Sequence, residues 1–277
     1  MVNIYWLEYE YYYNHRKKYY PELLTDSFLK SLQLDTLAWR RCSPYNEPYV
    51  EIYYRHPAFS YYPLVGVTYE QAKAFAKWRS DRVFEYYLIA TGLYKEWDST
   101  IIFTIEDYFN GKIEGLTPDY NLYYPEYSLP DSTTYYRAAV FADSLNKINI
   151  LKRKRRIKLM HPFKRFPNGV DECYSTSLFC YNSCDKEELE KFNTCFPVKA
   201  FCMDVSRKFN NKTPIISHLK GNVREMTNTK NVYYGLGYND SCNLDYNKCR
   251  IDTNMPNAYT GFRMICRYKK WNPKEGK

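Results

Sequence analysis

Two hydrophobic periods run along this chain, a helical one in the front half and an alternating one near the end. Val2, Trp6, Tyr9 and Tyr13 fall at i, i+4, i+7 and i+11, which predicts an amphipathic helix over residues 2–18. A second short helix is expected over Glu22–Leu34, followed by a Pro- and Tyr-rich connection from Ser43 to Pro63. Leu64-Val65-Gly66-Val67 then reads as a short buried strand. It leads into Thr68-Tyr69-Glu70-Gln71, a capping box in which Thr68 caps and Gln71 sits at N3. The helix that follows is expected to run to about Tyr87, with Ala72, Phe75 and Ala76 forming its core stripe.

Beyond that helix the signals shorten. Thr104–Gly115 holds one more short helix, and Asp131 is the expected N-cap of another. Residues 145–200 turn basic, then Cys-rich, then acidic, the pattern of a surface insertion. The last third is turn-rich and closes on Phe262–Tyr268. There Phe262, Met264, Cys266 and Tyr268 alternate with Arg263 and Arg267, so a strand with the first set inward is expected. No internal repeat is evident. The fold class is therefore α+β, one domain over residues 1–277 with much irregular structure.

Composition sharpens this. The 277 residues include 32 tyrosines, and aromatics make up 19%, which argues against wholesale disorder and for a large core. A chain of this size buries roughly three quarters of its unfolded surface. The net charge of +9 permits anionic partners without requiring them. Much of the excess lies in the run Lys152–Lys158, which no RNA-binding or zinc-finger signature accompanies. The run reads as a solvated surface connection, and nucleic acid is not an expected partner. No apolar run approaches the 18 or so residues a membrane span needs, and the first residues lack the basic-then-apolar pattern of a signal peptide.

Candidate chemistry is sparse. The chain contains no G-x-S-x-G, P-loop, H-E-x-x-H or G-x-G-x-x-G motif. His15, His56, His161 and His218 are scattered, without ligand spacing, and read as surface or hydrogen-bonded core residues. The nine cysteines include no C-x2-C pair, so a zinc ribbon is not expected. Local disulfides and free thiols both remain open, and the odd count leaves one thiol unpaired within a monomer. Cys242 and Cys249 could form a disulfide, remain free, or hold a soft ion such as Cu(I).

Four segments, taken in order, resemble the formylglycine-generating-enzyme/sulfatase-modifying-factor family. Tyr62-Pro63-Leu64-Val65-Gly66-Val67-Thr68-Tyr69-Glu70-Gln71-Ala72, with Trp78-Arg79, is similar to its Y-P-V-V-G-V-S-W-x-Q-A…W-R segment. Leu129-Pro130-Asp131 with Tyr135 and Ala138-Ala139 resembles its L-P-T-E-A-E-W-E-Y-A-A helix. Gly221-Asn222-Val223-Arg224-Glu225-Met226 matches its G-N-V turn, and Gly261-Phe262-Arg263 its terminal G-F-R strand. Tyr45-Asn46-Glu47-Pro48, Tyr54-Arg55-His56-Pro57-Ala58, Trp78-Arg79-Ser80-Asp81-Arg82 and Phe103–Tyr108 resemble the gliding-motility lipoproteins K and J of Bacteroidota type IX secretion.

The resemblance implies a C-type-lectin-like fold, here lacking its first strand, in a protein of the periplasm or outer membrane. It implies calcium near the G-N-V turn, at Asn222 and the Val223 carbonyl. It also implies how an active member works, with two cysteines spaced C-x4-C binding Cu(I) after a G-G-S-W motif. Aligned on Gly235-Leu236-Gly237-Tyr238, those positions hold Asp240 and Asp245, while Cys242 and Cys249 are displaced and separated by six residues. The iron sulfoxide synthases of the same fold carry an H-x3-H-x-E run that this chain lacks. The expected function is accordingly a non-catalytic scaffold or interaction domain of the cell envelope, with protein partners or copies of itself. Two alternatives stand beside it: a copper-dependent oxidase using Cys242 and Cys249, and a ligand-binding module built on the Tyr/Asn-rich stretch Tyr233–Asn247. Arg263 is expected to be a buried, ion-paired residue. Tyr69, Tyr135 and Tyr238 stand where the family usually has Trp and are expected, for the most part, to be buried.

Overall fold

The computed structural model describes residues 6–19, 25–42, 46–60, 62–95, 102–141, 222–237, 240, 248–253 and 256–273. The 145–200 insertion lies outside them. In chain order the helices are α1 (Trp6–Tyr19), α2 (Asp26–Leu32), α3 (Ala38–Cys42), α4 (Glu47–Ile52), α5 (Tyr69–Ala90), α6 (Ile105–Phe109) and α7 (132–141). The strands are β1 (Tyr123–Ser128), β2 (Arg224–Met226), β3 (Val232–Tyr234), β4 (Arg250–Ile251), β5 (Thr260–Gly261) and β6 (Ile265–Lys270). Among the described residues this is a mixed α+β architecture with no closed barrel. Its backbone contacts sort into two compact units.

One unit is built from Glu8–Gln33, Tyr69–Leu129 and Met264–Lys277. Its axis is α5, which begins directly after Thr68 as the capping box predicts and buries Ala72, Phe75 and Ala76. The Gln71 amide donates to the Ser31 and Gln33 carbonyls, both at 2.8 Å, and so anchors the end of α2. The helix runs three residues past its expected end. It closes with the Gly92 N–H on the Ile89 carbonyl and the Leu93 N–H on the Leu88 carbonyl, the paired bonds of a Schellman motif. Helix α1 packs on α5 through Tyr9, Tyr12 and His15. Tyr12 meets Phe75 and Trp78 edge-on at 5.5 and 5.1 Å. Tyr13, expected inward, is only half-buried, because the packed stripe advances by threes from Tyr9. The side chains of Val2 and Trp6 lie outside the described residues.

Strands β1 and β6 pair antiparallel, Pro125 opposite Tyr268. A proline inside β1 is tolerated because each strand of a two-stranded sheet is an edge. The expected inward set of the final strand is corrected here. Two strands, β5 and β6, replace one, and the non-strand residues 262–264 between them break the alternation. Phe262 and Arg263 are both fully buried, whereas Cys266 and Tyr268 are exposed.

The other unit is built from Leu34–Thr68 and Pro130–Arg263. The expected connection between Ser43 and Pro63 contains α4 and a 3-10 turn at Pro57–Phe59. A four-stranded sheet runs in the order β4-β3-β2-β5, with β2 and β5 parallel and the other pairs antiparallel. Helix α7 starts after Asp131, whose carboxylate accepts the Thr134 N–H at 2.6 Å as an N-cap should. Ala38, Trp39, Val50, Tyr53, Val65, Val223 and Ala258 make one apolar cluster in this unit.

Candidate functional site

Segments far apart in sequence meet in the Leu34–Thr68/Pro130–Arg263 unit. Leu64, Val65 and Val67 are completely buried, yet they lie outside both sheets, so their backbone groups need other partners. The Tyr53 hydroxyl donates to the Pro63 carbonyl at 2.7 Å and the Tyr54 hydroxyl to the Val65 carbonyl at 2.6 Å. Gly66 donates to the Asn257 carbonyl at 2.9 Å and accepts from the Asp35 N–H at 2.8 Å. Its φ is +62°, and a Cβ there would run into the Asp35 carbonyl oxygen. A Cβ on Gly261 would lie 2.5 Å from the Leu64 carbonyl oxygen and 3.3 Å from Val223. The Arg224 N–H donates to the Tyr259 carbonyl at 2.8 Å, and the Asn228 N–H to that of Pro130 at 3.0 Å. Parts of all four motif segments quoted for the family resemblance thus meet in this unit.

At the centre of this convergence lies an ion pair. The Arg263 guanidinium grips the Glu225 carboxylate through two nitrogens, and neither side chain has any exposed surface. Burial alone would push the Glu225 carboxyl up; Arg263 opposes that shift and is itself held charged by Glu225. Tyr135, also fully buried, stacks on Tyr234 at 4.5 Å. Burial first, and the nearby Glu225 charge second, push its phenol well above the ordinary value.

A second arginine is held nearby in sequence, on β2. Arg224 sits between the rings of Tyr233 and Tyr259, 4.7 and 4.6 Å from their centroids. It binds Asp240 bidentately and reaches Asp252 at 3.0 Å. Asp240 also accepts the Gly237 N–H at 2.6 Å. Arg224 therefore fixes the positions of Asp240 and Asp252 at once. No pattern in the sequence foretold this, because Tyr233, Asp240, Asp252 and Tyr259 share no period.

The remaining expected site residues fall as follows. Asn222 is buried with φ +69°, a left-handed conformation that Asn tolerates better than most residues, and Val223 packs in the apolar cluster. Calcium takes six to eight oxygens, and these two residues account for two. Among the described residues no group of three or more His, Cys, Asp or Glu is placed to hold a metal ion. Cys249 is exposed, and Cys242 and Asp245 lie outside the described residues. Cys249 and Cys266 are free thiols. Of the expected ligand-binding stretch, Tyr233 and Tyr234 are 6% exposed and present little ring surface. Tyr135 is buried as expected and Tyr69 half-buried, while Tyr238 lies outside the described residues. His15 is a hydrogen-bonded core residue and His56 an exposed one, whose ring nitrogen accepts the Ala58 N–H.

No family model, curated protein or solved structure matches this chain. Among the described residues, no helix is long and apolar enough to cross a membrane.

Proposed function

We propose that the chain is a non-catalytic relative of the formylglycine-generating enzymes, serving as a scaffold or interaction domain of the bacterial cell envelope. The observation that carries this reading is the state of Asp240. Where the resemblance would put the first copper-binding cysteine stands a buried carboxylate, already engaged by Arg224 and the Gly237 N–H. Carboxylate is a hard ligand that Cu(I) disfavours, and this one has a permanent cation as partner. The residues therefore do not fit a copper centre of the family type. A gliding-motility-like role, with protein partners or copies of itself in the periplasm or at the outer membrane, follows from the subtype motifs. Convergence of the four motif segments supports the kinship on which this rests.

The test is direct. The protein, loaded with Cu(I) in the presence of oxygen, is incubated with a cysteine-containing sulfatase peptide, and aldehyde is measured by mass. The scaffold reading expects unmodified peptide. Aldehyde that disappears in Cys242→Ser would overturn it in favour of the oxidase.

A further inference from the structure

A second polar cluster lies in the Glu8–Gln33/Tyr69–Leu129/Met264–Lys277 unit, away from the motifs that carry the functional reading. Asp81 and Glu85 stand one turn apart on α5, so their side chains share a face. Both are buried, at 8% and 4% exposure. Asp81 accepts the Ile105 N–H at 3.0 Å, the first amide of α6. Arg82 donates to Glu85 Oε2 at 2.5 Å and to the Phe103 carbonyl, with its guanidinium 5.9 Å from the Phe103 ring. Asp81 and Arg82 thus hold the two sides of the Thr104 N-cap, and Glu85 acts through Arg82. The second oxygen of Glu85 is buried without a hydrogen-bond partner, a costly position for a charged carboxylate.

We propose that Asp81, Arg82 and Glu85 form a proton-sensitive latch, which holds the start of α6 to α5 when the acid pair carries a proton and loosens when both carboxyls ionise. With both ionised, one guanidinium faces two charges in a dry site. Burial first, and repulsion between the carboxylates after it, makes the closed site costly for two charges, and opening residues 103–105 to water relieves that cost. The other charges around the pair are Lys77 on α5, and Arg16 and His15 on α1. Lys77 lies 4.0 Å from Glu106 on α6, while Asp107 is engaged in the Thr104 cap and by Lys112 at 3.3 Å.

Burial, the largest cause for each, raises Asp81 to about 6 and Glu85 to about 7. The folded chain therefore binds these protons more tightly than the unfolded chain does. The stabilisation is complete below their ordinary values of 3.8 and 4.5, and is lost as pH rises through about 6 and about 7. His15 acts in the opposite sense. Burial lowers it to about 4, so its contribution is lost as pH falls from 6.5 to that value. A global melting curve would mix the two, and a local readout is required.

Hydrogen exchange of the α6 amides, corrected for intrinsic rate, separates them when compared at about pH 5.5 and about pH 8. The wild type should open at least tenfold more readily at the higher pH, the equivalent of about one unit of proton linkage or more, and Glu85→Gln should cut the difference to the few-fold that Asp81 alone supplies. A flat wild-type response, or an undiminished slope in Glu85→Gln, overturns the latch. Should the variant fail to fold, carbon-13 titration of the wild-type Glu85 carboxyl decides. A midpoint near 7 supports the latch and one near 4.5 contradicts it.

Discussion

A tyrosine in this protein is often both a core ring and a backbone hydrogen-bond donor. The Tyr9 hydroxyl, on a ring buried in the core, donates to the Leu32 carbonyl at 3.0 Å. Tyr53 and Tyr54 do the same for Pro63 and Val65, which no sheet serves. Irregular backbone can be buried only if its carbonyls find such partners, and phenol supplies them without giving up ring packing. Tyr53→Phe should therefore cost about 1–3 kcal/mol in urea denaturation, since it leaves the Pro63 carbonyl buried and unmet. Tyr268→Phe, at a ring 75% exposed, should stay within about 0.5 kcal/mol of wild type. Equal effects at the two positions would remove the argument. Composition made an aromatic core legible, but not which tyrosines enter it. Tyr69 and Tyr135 stand in similar motif positions, yet Tyr69 is half-buried while Tyr135, stacked on Tyr234, is fully buried.

At the scale of elements, what local chemistry determines was readable and what partners determine was not. The start of α5, the Asp131 cap and the short α6 with its Thr104 cap all follow from residues within one turn. The packed stripe of α1 depends on where Phe75 and Trp78 lie, so the expected Tyr13 gave way to Tyr12. Strand β1 carries a proline, ordinarily a sign against a strand, and its pairing with β6 is visible only across the fold. Leu64–Val67 was legible as buried, but it is an irregular segment, bent at Gly66 and held by side chains and single backbone bonds rather than a sheet strand. Its weak point is the backbone at Gly66. Gly66→Ala should cost about 2 kcal/mol or more, from a left-handed φ and a Cβ directed at Asp35. Thermal denaturation checks it, and an unchanged midpoint would show that this backbone relaxes freely.

Across the whole molecule, the residues that look most like a catalytic signature are engaged in holding the chain together. Arg263 was anticipated as an ion-paired core residue, although the alternation of residues 262–268 set it opposite the inward positions. Its partner Glu225 lies 38 residues earlier, and Arg224 reaches Asp240 and Asp252 across 16 and 28 residues, separations that carry no sequence period. The non-catalytic reading depends on these pairs being structural. The most direct measurement is a double-mutant cycle of Arg263→Met and Glu225→Leu by urea denaturation. Each single change strands a fully buried charge and should cost about 3–5 kcal/mol, while the double change, with no charge left to bury, should cost less than either. Single variants that keep wild-type stability would show that Arg263 and Glu225 do not hold this fold, and would contradict the account.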